Sequence, residues 1–423
     1  MDYKESVDYL YTLLKFGMKF GLSSVENLLK NLGQPHLKVP VFHVAGTNGK
    51  GSVGATVNAV LTQAGYKVGF FTSPHLVFFR ERIMIGPNMI GREDVVRLVE
   101  KVSKAMVPEQ PPTFFEFVTA MAFDHFAEQK VDLAVMEVGM GGRLDATNVS
   151  RSLVGAVTNI SLDHGEHLGN TLTRIAGEKA GIIKPGLPMV IGERRTYVRN
   201  VFEQVSDKLG ARVYGLGRDF KARTLASGEF NYYGLHRDLK KLKLALLGPH
   251  QVRNAAVALA SLELLAEKGF DFSEANIREG LANVSWPGRA EIFPGPPDIM
   301  LDGAHNPGAA SVLAELLTRL DYQRLYLVLG IMADKDIPRI MAPLLPKAEA
   351  VFLTRPDYER ASTLENLSEK ARGFEDKVSL HAEVRQAIEA AKSEAGPQDL
   401  VLVTGSLFTV GEARAYLTGD EDI

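Results

Sequence analysis

The chain has 423 residues, which is more than one hydrophobic core supports and predicts two domains, or three. Its 45% hydrophobic and 23% charged residues are typical of a globular protein, and neither its net charge of −3 nor any ~18-residue apolar run indicates a nucleic acid or a membrane as partner. Without cysteine there are no disulfides, thiolate metal sites or cysteine nucleophile, and a polar N-terminus without a signal-peptide core makes the cytoplasm the expected compartment.

The first element with chemical meaning is an apolar strand at 41–46 that runs into a glycine-rich turn. Residues 46–52 read Gly-Thr-Asn-Gly-Lys-Gly-Ser, and a helical segment follows from Val53. Glycines let backbone N–H groups converge on phosphate oxygens, and the helix turns its positive end towards the anion. Lys50 would neutralise phosphate charge, and the Ser52 hydroxyl would reach a phosphate-bound Mg²⁺. We predict a nucleotide site, although the spacing is not the standard Gly-x-x-x-x-Gly-Lys-Ser/Thr and a glycine turn without a nucleotide is the alternative.

Short apolar runs and segments of helical period alternate as far as residue 209. This alternation is typical of a doubly wound, mostly parallel α/β sheet. The further predicted strands are 67–73, 132–139, 154–161 and 188–193, and the predicted helices are 53–64, 92–106, 114–129, 171–183 and 197–209.

The pattern changes between residues 211 and 247, where short apolar runs broken by glycine and charged pairs predict a small antiparallel meander. Two helices, 251–268 and 273–283, come next. A stretch dense in proline and glycine then extends from Trp286 to Pro297, and we interpret it as a linker.

A second alternating set follows this stretch and predicts a smaller Rossmann-like α/β domain. Because it has no Gly-x-Gly-x-x-Gly turn, we do not expect it to bind a dinucleotide. We therefore predict an ATP-binding N-terminal and central domain at 1–288 and a C-terminal domain at 289–423. The predicted C-terminal elements are strands 298–303, 324–330, 349–354 and 399–404, with helices 308–320, 337–345, 362–372, 383–395 and 408–417.

Polar residues just beyond parallel strands deserve priority, because ligands bind at the carboxyl ends of such strands. Ser73, Glu137 and His164 lie at three of these ends and would supply hydroxyl, carboxylate and imidazole ligands to a divalent metal near the phosphates. For Glu137 the alternative is a buried carboxylate paired with Arg143, and for His164 it is a hydrogen bond within a loop. A carboxylate in an apolar run is costly unless paired or metal-bound, so we favour the metal.

Four further residues are candidates with ordinary alternatives. Taken alone, Lys179 would be a solvated helix lysine paired with a neighbour such as Glu178. Asn254 would read an adenine edge or bond to backbone. Asp302 and His305 follow a predicted strand and would face a crevice between the domains.

The order of the motifs resembles a known family. Folylpolyglutamate synthases and bifunctional dihydrofolate/folylpolyglutamate synthases, within the Mur ligase superfamily, show similar motifs over nearly the whole chain. The extra Gly51 separates this branch from the cell-wall ligases, whose loop ends in Gly-Lys-Thr or Gly-Lys-Ser. The motifs concerned are Gly46–Ser52, Ser73–Leu76, Glu137–Asn148, Glu178–Ile182 and Asp302–Pro307.

The resemblance implies an ATP-dependent, ADP-forming ligase and a role for each residue. The γ-phosphoryl group of ATP would pass to a pterin carboxylate, and L-glutamate would attack the acyl phosphate. Lys179 would be carbamylated beside the second of two Mg²⁺ ions, and His305 would lie near the transferring phosphate or the glutamate. The implied binding residues are Thr47, Asn48, Gly49, Lys50, Gly51 and Ser52 for the ATP phosphates, Asn254 for adenine, Arg289 and Asp302 for phosphates and ribose, Ser73, Glu137 and His164 for Mg²⁺, and Phe20, Gly21, Thr113, Phe114, Phe115, Asp145 and Ala146 for the pterin.

Several alternatives stay open at this point. The segment Met18-Lys19-Phe20-Gly21-Leu22 differs from the Asp-Leu-Gly of some bifunctional members, so it does not decide whether dihydropteroate is a substrate beside folate. Competing functions are a P-loop switch or motor, a nucleotide-binding scaffold without turnover, and a cell-wall precursor ligase. The balanced surface and paired domains suggest a monomer.

Overall fold

The computed structural model describes residues 1–17, 21–163 and 165–420. The chain divides into two compact units. The first comprises Met1–His75, Phe79–Ala245 and Pro249–Ser285, and the second comprises Leu76–Phe78, Leu246–Gly248 and Trp286–Ile423. Each unit has its own sheet and its own apolar core. No helix in the described ranges is long and apolar enough to cross a membrane.

An eight-stranded sheet forms the centre of the first unit. Its order is β4-β3-β2-β5-β1-β6-β7-β8, and the six strands from β2 to β8 are parallel while β3 and β4 are antiparallel at one edge. Every residue of the central strands β1, β2 and β5 is buried, as expected of parallel strands covered on both faces. The strands are β1 (Val41–Ala45), β2 (Val68–Phe71), β3 (Ile83–Ile85), β4 (Asn88–Met89), β5 (Leu133–Glu137), β6 (Ser152–Val157), β7 (Met189–Ile191) and β8 (Val213–Gly215).

Helices cover this sheet. α3, which follows the glycine-rich turn, packs against α9 and α10, and Gly280 of α10 allows close contact because a Cβ there would lie 2.7 Å from Val60 Cα. The helices are α1 (Tyr3–Thr12), α2 (Ser23–Asn31), α3 (Lys50–Gln63), α4 (Arg92–Ala105), α5 (Phe114–Glu128), α6 (Gly165–Leu168), α7 (Leu172–Ala180), α8 (Thr196–Leu209), α9 (Pro249–Ala266) and α10 (Glu274–Asn283).

The predicted meander is present but begins later than expected. Its three antiparallel strands are β9 (Lys221–Thr224), β10 (Phe230–Tyr233) and β11 (Asp238–Leu242). Val213, which the sequence assigns to the meander, lies in β8 and pairs in parallel with β7. That part of the prediction is wrong, because the short run after α8 completes one more β-α-β unit of the large sheet.

The second unit contains a six-stranded sheet of order β12-β13-β17-β14-β15-β16, parallel except for β12. β12 falls inside the stretch interpreted as a linker, so that interpretation is wrong for residues 291–293. The elements are β12 (Glu291–Phe293), β13 (Asp298–Leu301), β14 (Leu325–Leu329), β15 (Ala350–Thr354), β16 (Val378–His381) and β17 (Leu400–Thr404), with helices α11 (Pro307–Leu317), α12 (Ile337–Met341), α13 (Leu364–Lys370), α14 (Val384–Glu394) and α15 (Leu407–Thr418). Both units thus confirm the predicted α/β class with mostly parallel sheets.

Candidate active site

The glycine-rich turn between β1 and α3, residues 46–52, is hereafter the phosphate turn. Its backbone needs glycine at two positions. Gly46 has φ +145°, and a Cβ there would collide with the Thr158 hydroxyl. Gly49 has φ +86°, and a Cβ there would lie 2.6 Å from Asn254 Oδ1. α3 begins at Lys50, three residues earlier than predicted, which puts Lys50 and Ser52 in the first helical turn. N–H groups in a first turn have no partner within their helix and can bind an anion.

The loop after β6 holds the phosphate turn in place. The Thr47 N–H donates to the Asn159 carbonyl at 2.9 Å, and the Asn48 N–H donates to Asn159 Oδ1 at 3.1 Å. The Asn48 carbonyl accepts from the Thr158 hydroxyl at 2.6 Å and from the Asn159 amide at 2.8 Å. Sequence reasoning missed Thr158 and Asn159, although they lie at the end of a predicted strand. Hydrogen bonds with Thr158 and Asn159 therefore hold the backbone of the phosphate turn in place.

Lys50, Ser52 and Glu137 lie at the carboxyl ends of the central strands β1 and β5. Lys50 Nζ is 3.8 Å from Glu137 Oε1 and donates to the Thr47 carbonyl at 3.3 Å. Glu137, the last residue of β5, accepts a short hydrogen bond from the Thr72 hydroxyl. The Ser52 hydroxyl is buried and has no hydrogen-bond partner among the residues that the structure describes. A buried unpaired hydroxyl costs ~1–3 kcal/mol, so a ligand that engages Ser52 would relieve a penalty.

These oxygens suit a divalent cation. Carboxylate and hydroxyl groups are the protein ligands that Mg²⁺ accepts, and Mg²⁺ keeps most of its other positions for water and phosphate. Ser73 follows Thr72 and is partly buried, whereas His164 lies outside the described residues. Within residues 1–17, 21–163 and 165–420, no group of three His, Asp or Glu side chains could hold a metal alone. The alternative pairing of Glu137 with Arg143 is wrong, because Arg143 pairs with Glu178 at 3.0 Å.

Lys179 is a buried lysine and not a solvated one. It lies in the last turn of α7 with 4% of its surface exposed. Burial, reinforced by the nearby charge of Lys50, lowers the pKa of Lys179 to about 7, against the opposing attraction of Asp163 and Asp145. Its expected partner Glu178 is the carboxylate that pairs with Arg143. At neutral pH a large fraction of the Lys179 amine is therefore uncharged.

A turn after β5 packs directly on the backbone that carries Lys179. A Cβ on Gly142 would lie 2.8 Å from the Glu178 carbonyl and 3.0 Å from Lys179 Cα. The Arg143 N–H donates to that carbonyl at 2.9 Å. The Asn148 amide donates to the carbonyls of Arg143 and Gly181, at 3.0 Å each. Close packing and hydrogen bonds thus join the segment 139–148 to the end of α7.

The same segment contains Asp145, one of the predicted pterin-binding residues. Asp145 is buried and caps a 3₁₀ turn, Ala146–Val149. It accepts hydrogen bonds from the N–H groups of Met140 at 2.9 Å and Thr147 at 3.0 Å. Burial raises the pKa of Asp145, and these hydrogen bonds oppose the rise. Ala146 is buried beside it.

The other predicted pterin-binding residues lie in different surroundings. The Phe115 ring contacts the position of Gly139 and lies 5.7 Å from the Phe71 ring. Phe114 stacks instead on Tyr11 at 5.8 Å. Thr113 caps α5 in a reciprocal pair with Glu116. Gly21 has φ +138°, and Phe20 lies outside the described residues. The structure thus brings Phe115 and Asp145 to the two ends of the 139–145 turn.

Asn254 is the sixth residue of α9, in its second turn, and lies against the phosphate turn at Gly49. It is buried, and its amide donates to Gln251 Oε1 at 2.9 Å. The structure therefore brings Asn254 next to the phosphate-binding backbone. An adenine contact stays a prediction.

In the second unit, Arg289, Asp302 and His305 lie together around the end of β13. Asp302 is buried and accepts from the N–H groups of Ala290 at 2.9 Å and Ala304 at 3.0 Å. Burial raises its pKa, and the positive charge of Arg289 is the strongest opposing influence. The Nδ1–H of His305 donates to the Gly303 carbonyl at 2.8 Å. These three residues form one polar cluster, and their contacts with a nucleotide or glutamate stay predictions.

Two family models match this chain, one mainly in the first unit and one in the second. The family model described as the Mur ligase middle domain matches residues 44–262, and the Mur ligase glutamate ligase domain matches residues 288–407. The chain belongs to the Mur ligase family. Within it, the chain belongs to the branch of the folylpolyglutamate and dihydrofolate synthases.

The relatives and solved structures that carry this assignment cover the chain almost entirely. The dihydrofolate synthase/folylpolyglutamate synthase of Bacillus subtilis is 36% identical over 98% of this chain and 99% of its own length. A probable bifunctional folylpolyglutamate synthase/dihydropteroate synthase of Haloferax volcanii is 37% identical, and the chain spans 51% of that longer protein.

Two solved structures show ligands in similar folds. Escherichia coli FolC in complex with DHPP and ADP has a TM-score of 0.90 and 32% identity, with 98% of each chain covered. A bifunctional folylpolyglutamate synthase/dihydrofolate synthase with Mn, AMPPNP and L-glutamate bound has a TM-score of 0.89 and 32% identity, covering 99% of this chain and 98% of its own. Between them, these two proteins bind ADP or AMPPNP, Mn, L-glutamate and DHPP.

Proposed function

We propose that the protein is an ATP-dependent, ADP-forming ligase that adds L-glutamate to folate and also to dihydropteroate. The observation that carries this proposal lies at the carboxyl ends of β1 and β5. The phosphate turn, the Lys50–Glu137 pair and the buried Ser52 hydroxyl, which has no hydrogen-bond partner among the described residues, lie together there. The family assignment and the ligands of the two similar structures support it.

The reaction needs two anions to meet. The γ-phosphoryl group passes from ATP to the pterin carboxylate, ADP leaves, and an acyl phosphate forms. The glutamate amine then attacks the acyl carbon, phosphate leaves, and the amine loses a proton as the amide forms. Lys50 would offset the repulsion between carboxylate and triphosphate, and preorganised charge of this kind is commonly the largest catalytic contribution. The resemblance assigns His305, Arg289 and Asp302 to the glutamate and the nucleotide, and these roles stay predictions.

The metal would be Mg²⁺, as two ions, held by Ser52, Ser73, Glu137 and His164. Bound Mg²⁺ screens phosphate charge and orients the transferring group. Lys179 would carry a carbamate: its neutral amine adds to CO₂ and releases a proton, which gives the side chain a negative charge. The lowered pKa supports this modification, since only the uncharged amine can add to CO₂. Monomeric state and a cytoplasmic location stay predictions from the sequence.

The competing functions leave residues without roles. A P-loop switch or motor has no use for a buried lysine with a pKa of about 7 beside the phosphate turn. A cell-wall precursor ligase would lack the glycine that separates Lys50 from Ser52. We therefore retain the folate ligase.

The wild-type protein tests the proposal directly. With ATP, Mg²⁺ and L-glutamate, we expect phosphate release only when dihydropteroate or tetrahydrofolate is present, with one new amide per phosphate. Chromatography of the pterin product and a phosphate assay measure both quantities. Assaying the two pterins side by side decides whether both are substrates. Phosphate release that is independent of pterin and glutamate would contradict the ligase and favour a nucleotide hydrolase.

A further inference from the structure

A histidine within the central strand β1 connects to the predicted pterin-binding residue. His43 is fully buried, three residues before the phosphate turn, and pairs in register with Met136 and Gly155 of the neighbouring strands. Its Nε2 lies 2.8 Å from the Thr147 hydroxyl. The same hydroxyl lies 2.5 Å from Asp145 Oδ1. A buried path of two hydrogen bonds thus runs from the strand to Asp145.

The direction of both hydrogen bonds follows from the available protons. Asp145 Oδ1 accepts two protons from Thr147, the N–H at 3.0 Å and the hydroxyl proton. That hydroxyl has no second proton to give, and it must therefore accept from His43. His43 is the Nε2–H tautomer. Burial keeps it neutral by lowering its pKa to about 3.

The other ring nitrogen makes this histidine costly in a core. His43 Nδ1 is buried and has no hydrogen-bond partner within the described residues. A buried polar atom without a partner is destabilising, whereas an apolar side chain of similar volume at this place would not be. A histidine retained only for packing would therefore be a poor choice. Its Nε2–H supplies the one interaction that an apolar residue lacks.

These hydrogen bonds orient the Asp145 carboxylate. The Thr147 hydroxyl accepts from His43 and donates to Asp145 Oδ1, and the Met140 N–H donates to Oδ2 at 2.9 Å. Lys184 anchors the far end of the segment by donating to the Asn148 carbonyl at 2.9 Å. Without the His43 donor, the Thr147 hydroxyl could turn away, and the carboxylate would lose its one side-chain donor among the described residues, leaving the backbone N–H groups.

We propose that His43 is a positioning residue that orients Asp145 for the pterin through the Thr147 hydroxyl. The proposal rests on the proposed function, since it takes the pterin as the ligand of Asp145. It concerns binding of the pterin and not the chemistry at the phosphate turn. Replacing His43 should therefore raise the KM for the pterin and leave the KM for ATP unchanged.

The test compares two replacements of His43 that differ in one donor. H43Q keeps an N–H near the place of Nε2, and H43M keeps similar volume without a donor. For H43M we expect the KM for the pterin to rise roughly tenfold, the size of one hydrogen bond to a charged group, with an unchanged KM for ATP. H43Q should stay close to wild type. A pterin KM in H43M within about twofold of wild type would overturn the proposal.

A second pair of variants tests the middle of the path independently of His43. T147V removes the hydroxyl and should raise the pterin KM as H43M does, whereas T147S keeps it. Because both changes interrupt one path, the double variant H43M/T147V should be no worse than T147V. Fully additive effects would contradict the path.

Nitrogen-15 NMR of the histidine ring in the wild-type protein provides a readout that does not depend on activity. We expect a protonated Nε2 and an unprotonated Nδ1, and the opposite tautomer would overturn the proposal. Failure of the proposed function looks different, because the wild type would then form no amide with either pterin. Loss of only the His43 effect would leave the ligase standing.

Discussion

Replacing Lys179 by alanine should lower kcat/KM roughly a hundred- to a thousandfold, and added formate or acetate should partly restore it. The amine is buried near Lys50 and Asp145, so its loss leaves a small cavity close to the phosphate turn. If the working group is a carbamate, a short carboxylate that enters this cavity returns the missing negative charge. Steady-state ligation with and without each acid measures the rescue.

Lys184 is the matched control for this experiment. It is also a partly buried lysine, and burial lowers its pKa to about 8, but it donates to the carbonyls of Asn148 and Ser150. Lys184→Ala should lose stability without any rescue by formate. Full activity of unrescued Lys179→Ala would show that Lys179 has no part in the reaction. Equal rescue of both variants would show that the acids act nonspecifically.

The pH dependence of activation by CO₂ follows from the same lysine. Below pH 7 the Lys179 amine becomes protonated, and at pH 6 roughly one-tenth remains neutral. At a fixed concentration of dissolved CO₂, reactivation of CO₂-depleted enzyme should therefore be slower at pH 6 than at pH 8.

Replacing Lys50 by methionine should lower kcat/KM for ligation by roughly a hundred- to a thousandfold or more, with little change in folding. Methionine keeps the length of the side chain and removes the charge that faces Glu137 and the predicted phosphates. The repulsion between triphosphate and carboxylate then has one fewer cation to offset it. Ligation kinetics and thermal unfolding of the same preparation measure the two effects.

Lys104, exposed near the end of α4, offers the control substitution. Lys104→Met changes net charge by the same amount and should leave ligation unchanged. Lys50→Arg should recover part of the loss, because the charge returns in a larger group. Activity of Lys50→Met within about threefold of wild type would mean that the triphosphate binds elsewhere, since removing a phosphate-facing cation costs far more than that.

The sequence predicts those parts of the site that depend on short local patterns. A strand followed by glycines, Lys50 and Ser52 predicted the phosphate turn, and strand ends predicted that Glu137 would lie beside it. These inferences need only the rule that carboxyl ends of parallel strands meet at one edge. Thr72, whose hydroxyl donates to Glu137, is not among the site residues predicted from the sequence, and the role of the neighbouring Ser73 as a metal ligand stays a prediction.

Other features depend on contacts that no local pattern contains. The His43 path joins residues 104 positions apart, and the burial of Lys179 depends on the turn that packs against α7. Edge strands were also missed: β12 has three residues inside a Pro/Gly-rich stretch, and β16 is only partly buried. Pairing to a neighbouring strand supplies the stability that such short runs lack alone.

Oxygen-isotope transfer tests the central claim most directly. If the γ-phosphoryl group passes to the pterin carboxylate, a substrate labelled with ¹⁸O in both carboxylate oxygens must transfer one labelled oxygen to the released phosphate. The other stays in the new amide. Mass spectrometry of the phosphate should therefore show one ¹⁸O per amide formed. Amide formation with unlabelled phosphate, the second labelled oxygen leaving in another product, would contradict phosphoryl transfer to the carboxylate.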